Sequence, residues 1–231
     1  MTATSTLPRA EPRRATSSGV RRIVGSIRLA ASALILVAIV TQVTDLVLHD
    51  AFSPEEYFSY FTIQSNLMNV VVLAVGGVVC VRWRDDPRLL TQIRMSVLAY
   101  AVVTGVVYNV LLRGHPDGSY AGPQWPNEVM HVWIPIVILL DWILAPGRAA
   151  LPWRSLWIAV SYPIAWVAFT LVRGAITGWY PYPFLIPDAE HGYGIVSGYV
   201  VGIAAFIVLI ASGAIALSRV GSRRRDHALT T

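Results

Sequence analysis

The chain has 231 residues, 55% of them hydrophobic and only 13% charged, with a mean hydropathy of +0.57. A water-soluble domain carries about 25% charged residues, so this composition excludes a soluble globular protein and points to the lipid bilayer. The net charge of +5 comes from 18 arginines without a single lysine, in an Ala/Val/Gly-rich background that suggests a GC-rich bacterial genome; the lone Cys80 excludes an internal disulfide and a thiolate metal site.

Residues 1–22 are rich in Thr, Ser, Ala, Pro and Arg without apolar periodicity, and are expected to form a disordered tail. Six apolar runs follow: Leu29–Leu48, Tyr57–Val81, Met95–Leu112, Val129–Ala145, Ser155–Val172 and Tyr193–Leu217. Each reaches the roughly 17–25 residues that span a bilayer as helix. Residues 219–231, with Arg223, Arg224 and Arg225, are expected to form a second disordered tail. Both tails can touch anionic lipid headgroups, and no nucleic-acid partner is expected. The predicted architecture is therefore all-α, a single six-helix transmembrane bundle over residues 23–218 with no repeat and no soluble domain. The first run is too long for a signal peptide and ends in Asp45 rather than a small-residue cleavage site.

Arginine sets the expected orientation, because basic loops stay cytoplasmic. Six arginines lie up to Arg28, four in 82–94, two in 146–154 and four in the C-terminal tail. Only Arg113 and Arg173 lie on the opposite side. Sixteen against two predicts cytoplasmic N and C termini in a multi-pass protein of the bacterial inner membrane.

Polar groups in hydrocarbon are costly, so their positions carry the functional signal. The first span places Thr41, Asp45 and His49 on one face near its outer end. The second offers Thr62, Ser65, Asn66 and Asn69 in its first half, and the third carries Tyr108 and Asn109 one turn below its end. The fourth has His131 in its first turn, after Asn127 as a plausible N-cap. At about 1.5 Å per residue, Asp45, Thr62, Asn109 and His131 share one depth, within about 8 Å of their helices' outer ends. That pattern predicts a water-reachable cavity in the outer leaflet; helix-to-helix glue is the alternative reading of the same residues.

The start of a helix disfavours imidazolium, so His131 is expected to be neutral and able to act as a base. Pro135 gives no N–H to the His131 carbonyl four residues back, so a bend and an unpaired acceptor are expected there. Asp141 lies about 15 Å deeper and is expected to pair with Arg94 or Arg154. Gly194, Gly198 and Gly202, at four-residue spacing, are expected to let another helix approach closely.

The run Asn127-Glu-Val-Met-His131, followed by Pro135 and Asp141, resembles the fourth-helix signature of the androgen-induced transmembrane hydrolases. Phe61-Thr62 is similar to the site of their threonine nucleophile, and residues Thr177 to Leu185 resemble their loop after the fifth helix. The resemblance is specific in these three short places. It implies a six-span fold and hydrolysis of fatty-acid esters of hydroxy fatty acids by a membrane threonine and histidine. Asn66 follows Thr62 by four residues where about three are expected, which leaves Ser65 as a rival nucleophile.

The resulting expectation is an outward-facing lipid-ester hydrolase that needs no metal and no cofactor and takes a lipid or acyl-chain substrate. Thr62 is the nucleophile, His131 its base and Asp45 the carboxylate that orients it. Asn66, Asn109 or Ser65 line the polar cavity as oxyanion donors, while Tyr180, Tyr182 and Phe184 form a lid at the interface. A transporter or a non-catalytic lipid-binding protein is the competing class. It predicts broken helices and a midplane site with internal symmetry. A haem protein would need paired histidines inside the bundle, and only His131 lies well within a span.

Overall fold

The computed structural model describes residues 18–114, 122–187 and 192–227. Six helices dominate it. They are α1 (Ser18–Leu48), α2 (Phe61–Arg82), α3 (Arg88–Val107, continuing as a π-helical turn Tyr108–Leu112) and α4 (Trp125–Leu144, with a π-helical turn at Val129–Trp133). α5 (Leu156–Thr177) and α6 (Tyr193–His227) complete the set. All six are long and apolar enough to cross a membrane. Their outer surface is apolar too: Leu48, Trp157 and Ile176 are each at least 74% exposed, an arrangement suited to lipid rather than water.

The helices begin and end differently from the apolar runs. α1 starts at Ser18, so residues 18–22 are helical rather than tail, and α6 continues to His227. The rest of both expected tails, residues 1–17 and 228–231, lies outside the described residues. The early start of α1 has a physical cause, because Arg21 and Arg28 are not solvated loop charges. Both are buried. Arg21 donates to Asp86 at 2.9 Å and to the carbonyls of Trp83 and Pro146 at 2.9 and 3.0 Å. Arg28 donates to Asp141 at 2.9 Å and to the Gly76 carbonyl at 3.0 Å. Arg94 bonds Asp86 and reaches Asp141 at 2.6 Å, so Asp141 takes the expected partner and Arg28 besides. Three arginines and two aspartates thus clamp α1, α3, α4 and the turn after α2 at one end of the bundle.

Close helix crossings rest on glycines, though not on the expected ones. Gly25 of α1 and Gly77 of α2 meet so tightly that a Cβ on Gly25 would lie 2.8 Å from the Gly77 carbonyl oxygen. A Cβ on Gly194, Gly198 or Gly202 would touch nothing within 4 Å. That stripe faces outward because α6 turns its larger side chains, Val196, Ile207 and Ile215, toward the core instead.

Breaking a buried ion pair leaves an uncompensated charge. Asp86→Asn removes a carboxylate shared by Arg21 and Arg94, and should cost about 3–5 kcal/mol. Thermal unfolding in detergent reads it as a clear drop in midpoint, whereas an unchanged midpoint means the cluster does not hold this end together.

Candidate active site

At the opposite end of α2, the chain enters the helix through an extended Tyr60, which puts Thr62 in the first turn. Backbone N–H groups there lack intrahelical acceptors, and the helix presents its positive end. The preceding turn is pinned by α5: Trp166 Nε1 donates to the Ser59 carbonyl at 3.0 Å, and Arg173 donates to Ser59 Oγ at 2.8 Å. Thr62 is buried and points at α4, where His131 Nε2 lies 3.4 Å from Thr62 Oγ1.

The histidine is held on three sides. Its Nδ1 lies 2.9 Å from the Asn127 carbonyl oxygen, which can only accept. The proton therefore sits on Nδ1, and Nε2 offers its lone pair to the Thr62 hydroxyl. Tyr108 stacks on the imidazole at a centroid distance of 3.8 Å. The Asn127 side chain accepts from Gln42 Nε2 at 2.9 Å, and Gln42 accepts from the Tyr57 hydroxyl at 3.0 Å. Asn127, expected as an N-cap, instead sits inside the first helical turn and orients the histidine through its backbone carbonyl.

Two π-helical turns flank the site, Tyr108–Leu112 and Val129–Trp133. Such wide turns arise where the regular ladder is interrupted and often mark functional sites. In α4 the interruption is Pro135. The His131 carbonyl it deprives of a donor accepts from Asn109 Nδ2 at 3.3 Å, and the same amide bonds the Gly105 carbonyl at 2.8 Å. A Cβ on Gly105 would lie 3.0 Å from the His131 oxygen and 3.2 Å from Pro135. The missing side chain therefore lets α3 lie against the bend.

Thr62, with Tyr108 that stacks on His131, borders an apolar cavity of about 510 Å³. Thr62, Thr104, Tyr108 and Tyr182 supply its few polar groups, while α5 and α6 supply aliphatic walls such as Ile164, Val167, Ala204 and Val208. A bound chain of methylenes suits such a lining.

Several expected residues stand elsewhere. Asp45 pairs with His49 at 3.7 Å, and both His131 ring nitrogens are already engaged, so Asp45 does not orient His131. Asn109 is exposed and serves the bend, not the cavity. Ser65 Oγ donates to the Thr62 carbonyl at 3.1 Å and Asn66 Nδ2 to the same oxygen at 3.0 Å; neither residue lines the cavity. Ser65, fully buried, turns away from it. Tyr180 lies over Gly174, and Phe184 lines the cavity stacked on Tyr182 at 5.2 Å.

Tyr182 is the residue whose position departs most from expectation. Gly178, with φ +74°, ends α5 in a left-handed turn that glycine adopts freely, and the loop folds back over the bundle. Tyr182 is buried, not part of a surface lid. Its hydroxyl accepts from the Thr62 N–H at 3.2 Å and lies 3.3 Å from Thr62 Oγ1. The aromatic run Tyr180 to Phe184 signalled the loop, but not that one ring reaches the threonine.

Among known proteins, no family model, no curated relative and no solved structure matches the chain.

Overpacking a tight crossing typically costs about 1–3 kcal/mol. Gly105→Val drives its methyls into the His131 carbonyl and Pro135, and thermal unfolding should register a loss of that size. A midpoint equal to that of the wild type means α3 and α4 are not in close contact at the bend.

Proposed function

We propose that this chain is an integral-membrane lipid-ester hydrolase with Thr62 as nucleophile and His131 as general base. One observation carries the reading. Hydroxyl and imidazole approach to 3.4 Å from two different helices, and the threonine lies on the wall of a largely apolar cavity. An unassisted threonine hydroxyl is a poor nucleophile and needs an adjacent base. The distance is long for a hydrogen bond, but catalytic pairs in unliganded sites commonly tighten only when substrate binds.

Thr62 Oγ1 attacks the ester carbonyl as its proton passes to His131 Nε2. The alcohol leaves with that proton, and the acyl group stays on Thr62. The negative charge that develops on the carbonyl oxygen is stabilised by the Tyr182 hydroxyl and by the positive end of α2. The apolar walls of α5 and α6 take the acyl chain. The short motifs around Thr62, His131 and Tyr182 resemble those of the androgen-induced transmembrane hydrolases, which supports the same chemistry.

The arginine distribution supports an orientation with the ion-pair end and both termini in the cytoplasm and Thr62 toward the outside of the inner membrane. Setting aside the buried Arg21, Arg28 and Arg94 leaves thirteen arginines against two. Reporter fusions after Arg148 and after the C terminus should read cytoplasmic, and one between α3 and α4 external. The reverse pattern inverts the proposed orientation.

Hydrolysis of a long-chain nitrophenyl ester by purified variants tests the catalytic roles. Thr62→Ala and His131→Ala should each abolish turnover, and the double variant should be no worse, because nucleophile and base act as a unit. Tyr182→Phe should lower kcat by about 10²–10³-fold if its hydroxyl donates to the oxyanion. Asp45→Asn should stay near wild type. Undiminished turnover by Thr62→Ala overturns the assignment, and a folded wild type with no turnover favours the lipid-binding or transport alternative.

A further inference from the structure

Below the dyad, three buried side chains carry polar atoms with no protein partner among the described residues. These are Asn66 Oδ1, both amide atoms of Asn69, and Thr104 Oγ1. Asn66 and Asn69 are 1% exposed and Thr104 6%. Bare polar groups are costly in an apolar bundle, and native proteins satisfy them with ordered water where a polar, roomy site allows.

Their depths coincide. A Cβ on Gly76 of α2 would lie 3.9 Å from Arg94 Cδ of α3, which puts these residues level at one end. At the other end, Thr62 and Tyr108 both contact His131. Fourteen residues on each helix separate these anchor pairs. With equal rise on antiparallel neighbours, Asn66 lies level with Thr104 and Asn69 level with Ala101. Asn66 follows Thr62 by one turn on its helix face, as Thr104 precedes Tyr108 by one turn. Thr104 also borders the cavity that contains Thr62. An amide oxygen and a hydroxyl thus lie at one depth without bonding each other, and of the two residues Thr104 reaches the cavity wall.

We infer that Asn66 and Thr104, with Asn69 one turn deeper, form an internal water site that feeds the second half of the reaction. The role as reactant rests on the hydrolase reading; the water site itself does not. An acyl-threonine walled by aliphatic side chains needs a water that does not arrive through the acyl chain. Water held at Thr104 attacks the acyl carbonyl and gives its proton to His131 Nε2. The bond from the carbonyl carbon to Thr62 Oγ1 then breaks. The proton returns to Thr62, releasing the free acid and restoring the hydroxyl.

Two measurements on the full-length protein test this. The first is thermal stability of Thr104→Val and Asn69→Leu, near-isosteric changes that remove only polar capacity. A hydrated site predicts a lower midpoint for both, because water loses its partners. A dry site predicts a higher one, because a bare polar group is gone, and that result overturns the water site. Thr104→Ser keeps the hydroxyl and should behave as wild type.

The second measurement is the time course with a long-chain nitrophenyl ester. Thr104→Val should release a stoichiometric burst of nitrophenolate and then turn over more slowly by about tenfold or more, the scale of one lost hydrogen bond. Equal slowing of burst and steady state overturns the deacylation role. Absence of any turnover in wild type, together with the lowered midpoints, leaves the water site standing and removes the hydrolase.

Discussion

Pro135 has no N–H to give the His131 carbonyl, and hydrocarbon supplies no water in its place. The bundle meets that demand with a side chain from a neighbour, as Asn109 reaches across from α3. It can do so because α3 widens into a π-helical turn from Tyr108 to Leu112 and because Gly105 presents no Cβ to the bend. The same accommodation brings the Tyr108 ring flat onto the imidazole. A second wide turn, Val129–Trp133, carries His131 itself, with Nδ1 on the Asn127 carbonyl and Nε2 toward Thr62. The tautomer that a base requires thus follows from how one proline's missing donor is absorbed.

The two ends of the bundle solve opposite problems. At one, Arg21, Arg28 and Arg94 meet Asp86 and Asp141 with almost no exposure, and the charges fix α1, α3 and α4 against each other. At the other, α5 and α6 stand off from the core and leave the cavity that Thr62 borders. Pairing at the first end gives the helices a fixed register. That register matters at the second end, where the threonine and histidine come from different helices and a shift of about 1.5 Å, one residue's rise, would part them.

Depth was legible in the sequence, and direction around each helix much less so. Apolar run length located six spans, and counting residues from their ends placed Asp45, Thr62, Asn109 and His131 at one level. Only Thr62 and His131 meet side chain to side chain. Asp45 turns to His49 just past the end of its own helix, and Asn109 turns to the bend, because side-chain azimuth depends on packing that no single helix encodes. Arg21 and Arg28 read as tail charges since their partners, Asp86 and Asp141, lie 65 and 113 residues away. The Tyr182 contact was hidden for the same reason: the loop must fold back before its hydroxyl meets Thr62, 120 residues distant. The glycine stripe on α6 had the spacing of a helix contact but no partner among the described residues.

The account turns on whether the Thr62 hydroxyl is activated. Reaction of the folded protein with a long-chain fluorophosphonate, followed by mass mapping of the modified peptide, addresses this directly. A single adduct on Thr62, absent from His131→Ala, is the predicted result. An adduct on Ser65, or none on any residue of the folded protein, contradicts it.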